Sequence, residues 1–309
     1  MVHPATKIAV QPETHPWHAS FCGVVERAGG TVSELQDAEA LIWLAKTEEP
    51  LGPAIHPGLR WVQLRAAGIE HWFETGEIDE ERVFTSARGV YSQAVAEHVL
   101  ALLLAASRRL HVCARSTSWD AQGGGGRMLR GSTVAIIGAG GVGQEVIDCL
   151  QPFGVRVIAV TRSGREVRGA EMSFSADQID EVYPMADYLV LSAPATSDTE
   201  ALLGDAGLDA LPDHAWIINV ARGSLVETDA LVRALREGRV AGAAVDVTDP
   251  EPLPDGHELW TLPNVLITPH VANPKASHQV RLEERVEENV RRFISGDQLL
   301  GIVDAAAGY

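Results

Sequence analysis

Short runs of apolar residues alternate along this chain with segments whose apolar positions recur at helical spacing. Several runs are rich in Val and Ile and lack polar alternation, which is typical of strands buried on both faces of a parallel sheet. The predicted strands are Lys7–Val10, Ala40–Leu44, Arg60–Leu64, Val83–Ser86, Thr133–Ile137, Val155–Val160, Tyr188–Leu191, Trp216–Val220, Gly242–Val247 and Val265–Thr268. Because strands alternate with helices, the pattern predicts an α/β protein with doubly wound parallel sheets.

The helical segments have apolar stripes and recognisable ends. The predicted helices are Ser92–Leu110, Gln144–Leu150, Asp229–Glu237 and Ser277–Ser295. Thr228 is the expected N-cap of the third helix, and Gly238 is its expected C-terminal stop. The segment Ser116–Arg130, which includes four consecutive glycines, is a predicted loop.

Length and charge narrow the possible functions. A chain of 309 residues suits two domains of roughly 100–200 residues each. Its 25 Lys and Arg against 42 Asp and Glu give a net charge of −17. A field of this sign repels phosphate backbones, so no nucleic-acid partner is expected. An anionic substrate would need a local cationic side chain in its pocket.

The cysteines and the lengths of the apolar runs indicate the cellular compartment in which the protein is expected. The three cysteines, Cys22, Cys113 and Cys149, form no CxxC pair, so we expect reduced thiols and no metal site. The first residues lack the apolar core of a signal peptide. The longest apolar stretch, Val99–Ala106, is too short to cross a bilayer. The expected location is therefore the cytoplasm, with no membrane partner.

A glycine-rich turn follows the predicted strand Thr133–Ile137 and opens the next helix. Its sequence is Gly138, Ala139, Gly140, Gly141, Val142 and Gly143. In such a turn the first glycine permits the tight bend, the second lets the backbone approach a pyrophosphate, and the third allows close helix–strand packing. The helix N-terminus then presents N–H groups to the phosphates. This context favours a dinucleotide site over an incidental structural turn.

The end of the next strand bears on the choice between NAD and NADP. NAD enzymes usually place a carboxylate there for the ribose 2′-OH. In this chain the strand is followed by Thr161, Arg162 and Ser163, and no carboxylate occurs before Glu166. Arg162 and Ser163, with Arg165 as a further candidate, suit a 2′-phosphate. The sequence predicts NADP in preference to NAD. The alternative is that Arg162 and Arg165 are solvated surface arginines and that NAD still binds.

Three further segments place ionisable groups beyond predicted parallel strands, where open α/β sheets bind ligands. They are Asn219–Gly223 with Arg222, Asp246–Leu253 with Glu251, and Thr268–Ala272 with His270. Taken with the glycine turn, these blocks make the stretch from Gly131 to Ala272 resemble the D-isomer-specific 2-hydroxyacid dehydrogenase family. Looser matches lie at Leu64–Glu70 and at Ala96, Glu97 and His98.

The resemblance implies a role for each of the three groups. Arg222, always charged and planar, would bind the substrate carboxylate and polarise its carbonyl. His270 would protonate the developing alkoxide, or act as base in oxidation. Glu251 would orient the imidazole and stabilise its charged form. The implied reaction moves a hydride between NAD(P)H and a small 2-oxo or D-2-hydroxy acid, as glyoxylate and hydroxypyruvate reductases do.

Softer assignments follow from the same resemblance. Ala67 and Gly68 would offer backbone N–H groups to the substrate carboxylate, and Asp246 would lie near the nicotinamide carboxamide. The implied cofactor contacts are Gly138, Gly140, Gly141, Val142, Gly143, Thr161, Arg162, Ser163, Ala193, Pro194, Thr199, Val220, Ala221, Arg222, Asp246 and His270.

The expected architecture has two Rossmann-like or flavodoxin-like domains separated by a cleft. Residues 1–101 with 279–309 would form the substrate domain, and residues 102–278 the dinucleotide-binding domain. The resemblance also implies a homodimer with the helix Ser92–Leu110 and the Trp119 segment near its interface. Two alternatives stay open: a phosphite-type dehydrogenase on the same scaffold, and a cofactor-sensing binding protein of the corepressor type. Glu251 argues against a formate enzyme, since those carry Gln at this place.

Overall fold

The structure is a computed structural model that describes residues 6–47, 49–119 and 125–304. Contacts within the chain divide it into two compact units, Met1–Tyr91 with Pro274–Tyr309, and Ser92–Asn273. We call them the first unit and the second unit. None of the described helices is both long and apolar enough to span a lipid bilayer.

The described residues form twelve strands and nine α-helices. The strands are β1 (Lys7–Gln11), β2 (Thr31–Val32), β3 (Ala40–Trp43), β4 (Trp61–Leu64), β5 (Val83–Thr85), β6 (Thr133–Ile137), β7 (Arg156–Thr161), β8 (Met172–Ser175), β9 (Tyr188–Leu191), β10 (Trp216–Asn219), β11 (Gly242–Val245) and β12 (Val265–Ile267). The helices are α1 (His18–Arg27), α2 (Glu70–Glu74), α3 (Ser92–Ser107), α4 (Leu110–Ala114), α5 (Gly141–Leu150), α6 (Ile179–Val182), α7 (Asp205–Ala210), α8 (Thr228–Glu237) and α9 (Lys275–Ser295).

The first unit is built on a parallel sheet of order β2-β1-β3-β4-β5. Strands β3 and β4 are buried along their whole length; β3 is an unbroken apolar run, whereas β4 includes the polar Gln63. Helix α9 brings the end of the chain back to this sheet. Its fully buried Asn289 donates to the side-chain oxygen of Gln63 at 2.8 Å and accepts from the Leu300 backbone N–H at 2.8 Å.

The second unit holds a seven-stranded parallel sheet of order β12-β11-β10-β9-β6-β7-β8. The chain enters at β6, adds β7 and β8 on one side, and then crosses over to add β9 to β12 on the other. The reversal between β6 and β9 is a topological switch point, where sheets of this kind bind ligands beyond the carboxyl ends of their strands.

Both faces of the second sheet are buried. In β6, Ala135 and Ile137 belong to one apolar core, whereas Val134 and Ile136 belong to the core on the opposite face. Successive residues of a strand point to opposite faces, so a strand covered on both sides needs apolar residues at every position. The predicted α/β class with doubly wound parallel sheets is therefore confirmed.

Several predicted boundaries differ from the observed ones. The helix expected over Ser92–Leu110 is two helices, α3 and α4, because Arg109 adopts a left-handed conformation with φ of 51°. Thr228 is the first residue of α8 and not its N-cap, since its hydroxyl donates to the Asp249 carbonyl at 2.6 Å. Gly238 does end that helix in the left-handed conformation. The expected loop Ser116–Arg130 includes residues 120–124, which lie outside the described residues.

The units also divide at different residues from the predicted 101/102 and 278/279. Helix α3 packs as one element against α5, and its buried Ala96, Val99 and Leu103 belong to the core of the second unit. The whole helix therefore falls on that side of the division. At the other end, Ala272 is held by a side chain of the second unit, and α9 begins only at Lys275.

Candidate active site

The glycine turn lies directly beyond β6. Gly138 has a φ of +95°, a conformation that residues with a Cβ rarely adopt. Its N–H donates to the Val160 carbonyl at 2.9 Å. A Cβ at Gly138 would overlap the backbone of Ala193, in the loop after β9. The turn therefore requires glycine for both its conformation and its packing.

The other glycines face different surroundings. A Cβ on Gly140 would meet nothing within 4 Å, so this backbone is open to a ligand. A Cβ on Gly143 would lie 2.6 Å from the Gly138 carbonyl oxygen and 3.1 Å from Ile136. Helix α5 begins at Gly141, and its first N–H groups have no carbonyl partner within the helix. An open backbone before a helix N-terminus fits a pyrophosphate, as the glycine spacing predicted.

The end of β7 lies beside this turn. The Thr161 hydroxyl oxygen is buried and has no hydrogen-bond partner among the described residues. Arg162 and Ser163 are exposed. Arg165 donates through Nη2 to the Ala139 carbonyl at 3.0 Å, which places its guanidinium against the glycine turn. The end of β7 thus contacts the turn through the Val160 carbonyl, and Arg165 contacts it through its guanidinium.

The loop after β9 borders the turn on its other side. Ser192 donates its hydroxyl to the Gly138 carbonyl at 3.0 Å. Thr199 closes the loop, because its hydroxyl donates to the Pro194 carbonyl at 2.7 Å and accepts from the Thr196 N–H at 2.8 Å. The predicted contacts Ala193, Pro194 and Thr199 therefore belong to one folded segment.

Arg222 stands three residues beyond β10, in a loop shaped by Asn219. The buried Asn219 side chain accepts from the Ala221 N–H at 3.0 Å and donates to the Arg222 carbonyl at 2.9 Å. The Arg222 guanidinium donates to the Ala221 carbonyl at 2.7 Å. Val220 is partly exposed in this loop. A Cβ on Gly223 would overlap the backbone of Thr248, so glycine lets the loops after β10 and β11 touch.

Glu251 and His270 form a direct pair. Nδ1 of His270 lies 2.6 Å from Oε1 of Glu251, and the two side chains are 55% and 40% exposed. Since Nδ1 faces the carboxylate, Nε2 is the nitrogen left for a ligand. His270 also has a φ of +52°, which costs a residue with a Cβ about 1–2 kcal/mol. Such strain occurs at functional sites where the surroundings enforce it.

Asp246 is the buried charge behind this pair. Its carboxylate accepts from the Thr268 hydroxyl at 2.5 Å and from the Val271 and Ala272 N–H groups at 3.0 Å each. Burial alone would raise the pKa of Asp246. The His98 imidazole 3.4 Å away, the Thr268 hydroxyl and the two backbone N–H groups outweigh that effect and lower the pKa of Asp246 to about 2. Asp246 is therefore ionised at neutral pH.

Arg222, Glu251 and His270 share one edge of the sheet because the strands that precede them are neighbours. Asn219 of β10 pairs with Val245 of β11, and Ala244 and Val245 pair with Leu266 and Ile267 of β12. The strands are parallel, so the loops that carry Arg222, Glu251 and His270 leave the sheet side by side. The glycine turn leaves the carboxyl end of β6 on the same edge.

The remaining predicted residues, Ala67 and Gly68, belong to the first unit. They follow β4 and precede α2, beyond the carboxyl end of the sheet. The Tyr91 hydroxyl donates to the Arg65 carbonyl at 3.1 Å, and the Ala87 N–H donates to the Ala66 carbonyl at 2.8 Å. These bonds hold the start of the loop.

Sequence reasoning missed the supporting residues of the site. It attached no role to Asn219, which shapes the Arg222 loop, or to the pair of His98 and Thr268 next to Asp246. The sequence signal that could have found them is a polar residue within an otherwise apolar strand or helix. Asn219 ends a buried strand, and His98 interrupts an apolar helix pattern.

Comparison with known proteins identifies the family of this chain. Residues 100–272 match the family model described as the D-isomer specific 2-hydroxyacid dehydrogenase, NAD binding domain. The chain belongs to the D-isomer specific 2-hydroxyacid dehydrogenase family. The matched span includes the glycine turn and ends two residues beyond His270. The chain is therefore an NAD(P)-dependent oxidoreductase that acts on 2-oxo and 2-hydroxy acids, which is the activity that the motifs indicated.

Individual relatives extend the match to the whole chain. A glyoxylate reductase from Aeropyrum pernix is 34% identical over 222 residues, which is 69% of this chain and 66% of that protein. A family member from Xanthobacter autotrophicus, solved with NADPH and MES, has 25% identity and a TM-score of 0.86 over 99% of this chain and all of that one. An NADPH-dependent glyoxylate/hydroxypyruvate reductase from Sinorhizobium meliloti, solved with NADP and sulfate, has 26% identity and a TM-score of 0.80 over 98% of this chain and all of that one.

Two glycines of the turn, Gly140 and Gly143, provide a matched pair of variants. Gly143→Ala should lower the melting temperature, because its Cβ would press on the Gly138 carbonyl. Gly140→Ala should leave the melting temperature near that of the wild type but weaken cofactor binding, since its Cβ points into open space. Calorimetry and fluorescence titration with NADPH and NADH would measure both effects. Unchanged affinity in a stable Gly140→Ala protein would contradict the assigned pyrophosphate site.

Proposed function

We propose that this protein is an NADPH-dependent reductase of small 2-oxo acids of the glyoxylate and hydroxypyruvate type. The observation that carries the proposal is the 2.6 Å contact between His270 and Glu251 on the loop edge that also bears Arg222. A carboxylate-backed imidazole beside a guanidinium suits reduction of a carbonyl that has a carboxylate as its neighbour. The named substrates come from the relatives that reduce them.

Arg222 would bind the substrate. Its planar guanidinium can hold one carboxylate with two parallel hydrogen bonds and still direct an N–H at the adjacent carbonyl oxygen. The protein has a net charge of −17, which opposes the approach of an anion. A fixed cation at the sheet edge would offset that repulsion locally.

His270 would supply the proton. The reduced nicotinamide, when bound, supplies the hydride that adds to the substrate carbonyl carbon. As negative charge develops on the carbonyl oxygen, Nε2 of His270 donates its proton to that oxygen. Glu251 accepts from Nδ1–H and keeps the ring facing the substrate. In the oxidative direction the same nitrogen takes the proton back.

Selectivity for NADPH is the finer part of the proposal. A carboxylate at the end of β7 would repel a 2′-phosphate, and the residues there are Thr161, Arg162 and Ser163. Arg165 adds a second guanidinium next to the glycine turn. The Xanthobacter and Sinorhizobium structures contain NADPH and NADP respectively, which supports the same choice.

We also propose a homodimer located in the cytoplasm. Trp119 is 99% exposed and Met128 is 70% exposed, an unusual solvent exposure for large apolar side chains. A cavity of about 370 Å³ opens at the amino ends of β9 and β10, where Tyr188 and Trp216 line it together with Arg127, the residue before Met128. A second copy of the chain would cover these surfaces. The cytoplasm is supported by three unpaired cysteines.

The reaction and the role of His270 can be tested together. The wild type should oxidise NADPH at 340 nm with glyoxylate or hydroxypyruvate. His270→Ala should lower kcat by about 10²–10⁴-fold, because the proton donor is lost, with cofactor affinity little changed. Glu251→Gln should cause a smaller loss, since an amide oxygen can still accept from Nδ1–H. Cofactor binding without turnover on a broad panel of 2-oxo acids would favour a sensor over an enzyme.

Cofactor choice can be tested at the end of β7. Replacing Arg162 by Ala and Thr161 by Asp should shift the ratio of kcat/KM for NADPH over NADH toward NADH by about 10–100-fold. This range corresponds to losing one charge-assisted hydrogen bond of about 1.5–3 kcal/mol. The matched control is Arg168→Ala, because that exposed arginine pairs with Asp148 at 2.7 Å. An unchanged ratio in the double variant would show that these residues do not select the cofactor.

The oligomeric state is open to a direct measurement. Light scattering should give about twice the 33.1 kDa of one chain. Trp119→Ser should weaken the dimer, because it removes the large exposed apolar side chain, whereas Trp260→Ser, at a second exposed tryptophan, should not. A monomer at micromolar concentration would contradict the proposal.

A further inference from the structure

A histidine of helix α3 reaches the loop edge that carries the reactive groups. Nε2 of His98 lies 2.9 Å from the Thr268 hydroxyl oxygen and 3.4 Å from Oδ1 of Asp246. The His98 side chain is 19% exposed, and that of Asp246 is 1% exposed. His98 and Thr268 are 170 residues apart in the chain, so only the fold brings His98 to Thr268 and Asp246.

The directions of these hydrogen bonds follow from the number of protons available. Asp246 is ionised and can only accept, so the single hydroxyl proton of Thr268 points to its Oδ1 at 2.5 Å. The Thr268 oxygen must therefore accept from His98. This order requires His98 to carry a proton on Nε2, and it directs the whole chain of donors toward the Asp246 carboxylate.

Asp246 in turn holds the backbone around His270. Its side chain accepts from the N–H groups of Val271 and Ala272, while its carbonyl accepts from the His270 N–H at 2.8 Å. Asp246 is thus hydrogen-bonded to His270 itself and to residues that precede and follow it in the chain. These bonds oppose relaxation of the left-handed backbone at His270, which has a φ of +52°.

We propose that His98 is a positioning residue that acts through Thr268 and Asp246 to keep His270 against Glu251. His98 contacts none of the reacting groups. Its hydrogen bond fixes the Thr268 hydroxyl, the hydroxyl fixes one carboxylate oxygen of Asp246, and the carboxylate fixes the loop. The predicted effect of His98 on kcat rests on the proposed function, in which His270 is the proton donor. The predicted effect of His98 on the loop around His270 rests on the structure alone.

The test compares three variants in α3. His98→Leu removes the donor with little change in side-chain volume, and His98→Gln keeps an N–H donor near the position of Nε2. Glu97→Gln, at an exposed neighbour, is the matched control. In cofactor-free protein, His98→Leu should speed amide exchange of residues 268–273 by about tenfold, while the other two variants exchange as the wild type does.

Kinetics provide the second measurement. His98→Leu should lower kcat by about tenfold or more with little change in KM for the 2-oxo acid, and His98→Gln should recover most of that loss. Combining His98→Leu with Thr268→Val should add little further loss of kcat, because both substitutions break one chain of hydrogen bonds.

Each outcome decides the proposal. Wild-type exchange rates for residues 268–273 in His98→Leu would overturn it, and so would faster exchange with an unchanged kcat, or losses that multiply in the double variant. If the wild type itself turned over no 2-oxo acid, the proposed function would fail. The exchange measurement would then decide the loop-holding role of His98 alone.

Discussion

All seven strands of the second sheet run in the same direction, and this constraint determines where chemistry can occur. Parallel strands bring their carboxyl ends to one edge, so the glycine turn after β6 and the loops after β10, β11 and β12 leave the sheet together. The strand order reverses between β6 and β9, which opens the edge at that point. The residues of the second unit to which we assign contacts with cofactor or substrate lie at the carboxyl ends of these strands and of β7 and β9, or directly beyond them, whereas the supporting residue His98 comes from helix α3.

A buried charge organises the loops on one side of this edge. Removing Asp246 from water is costly unless its carboxylate is fully hydrogen-bonded, and the bonds it accepts come from Thr268, Val271 and Ala272, with His98 close behind. The same bonds hold the strained backbone of His270. The half-exposed pair of His270 and Glu251 can therefore face a ligand while hydrogen bonds to Asp246 hold the backbone of the His270 loop. We regard this combination of a hydrogen-bonded loop backbone and an accessible His270 imidazole as the central feature of the site.

The acidic surface and the assigned chemistry are compatible for a local reason. A net charge of −17 acts over the whole molecule, whereas an anionic substrate or cofactor is recognised by individual guanidinium groups and backbone N–H groups. Arg222 at the end of β10 and Arg165 beside the glycine turn are placed by specific hydrogen bonds to backbone carbonyls. In the proposed function their positions, more than the overall charge, would determine where anions bind.

The sequence by itself determined the α/β class, the glycine turn and the loops that carry Arg222, Glu251 and His270. Each of these depends on residues adjacent in the chain: apolar runs, glycine spacing, and polar groups just after a strand. Sequence patterns did not reveal the break at Arg109, the weak strands β2 and β8, the contact of Arg165 with Ala139, or the pairing of His98 with Thr268. The tertiary structure alone decided these features. They depend on the packing of distant segments against each other. The buried Asp246 carboxylate, for example, needs hydrogen-bond donors, and the fold supplies them from segments far apart in the sequence.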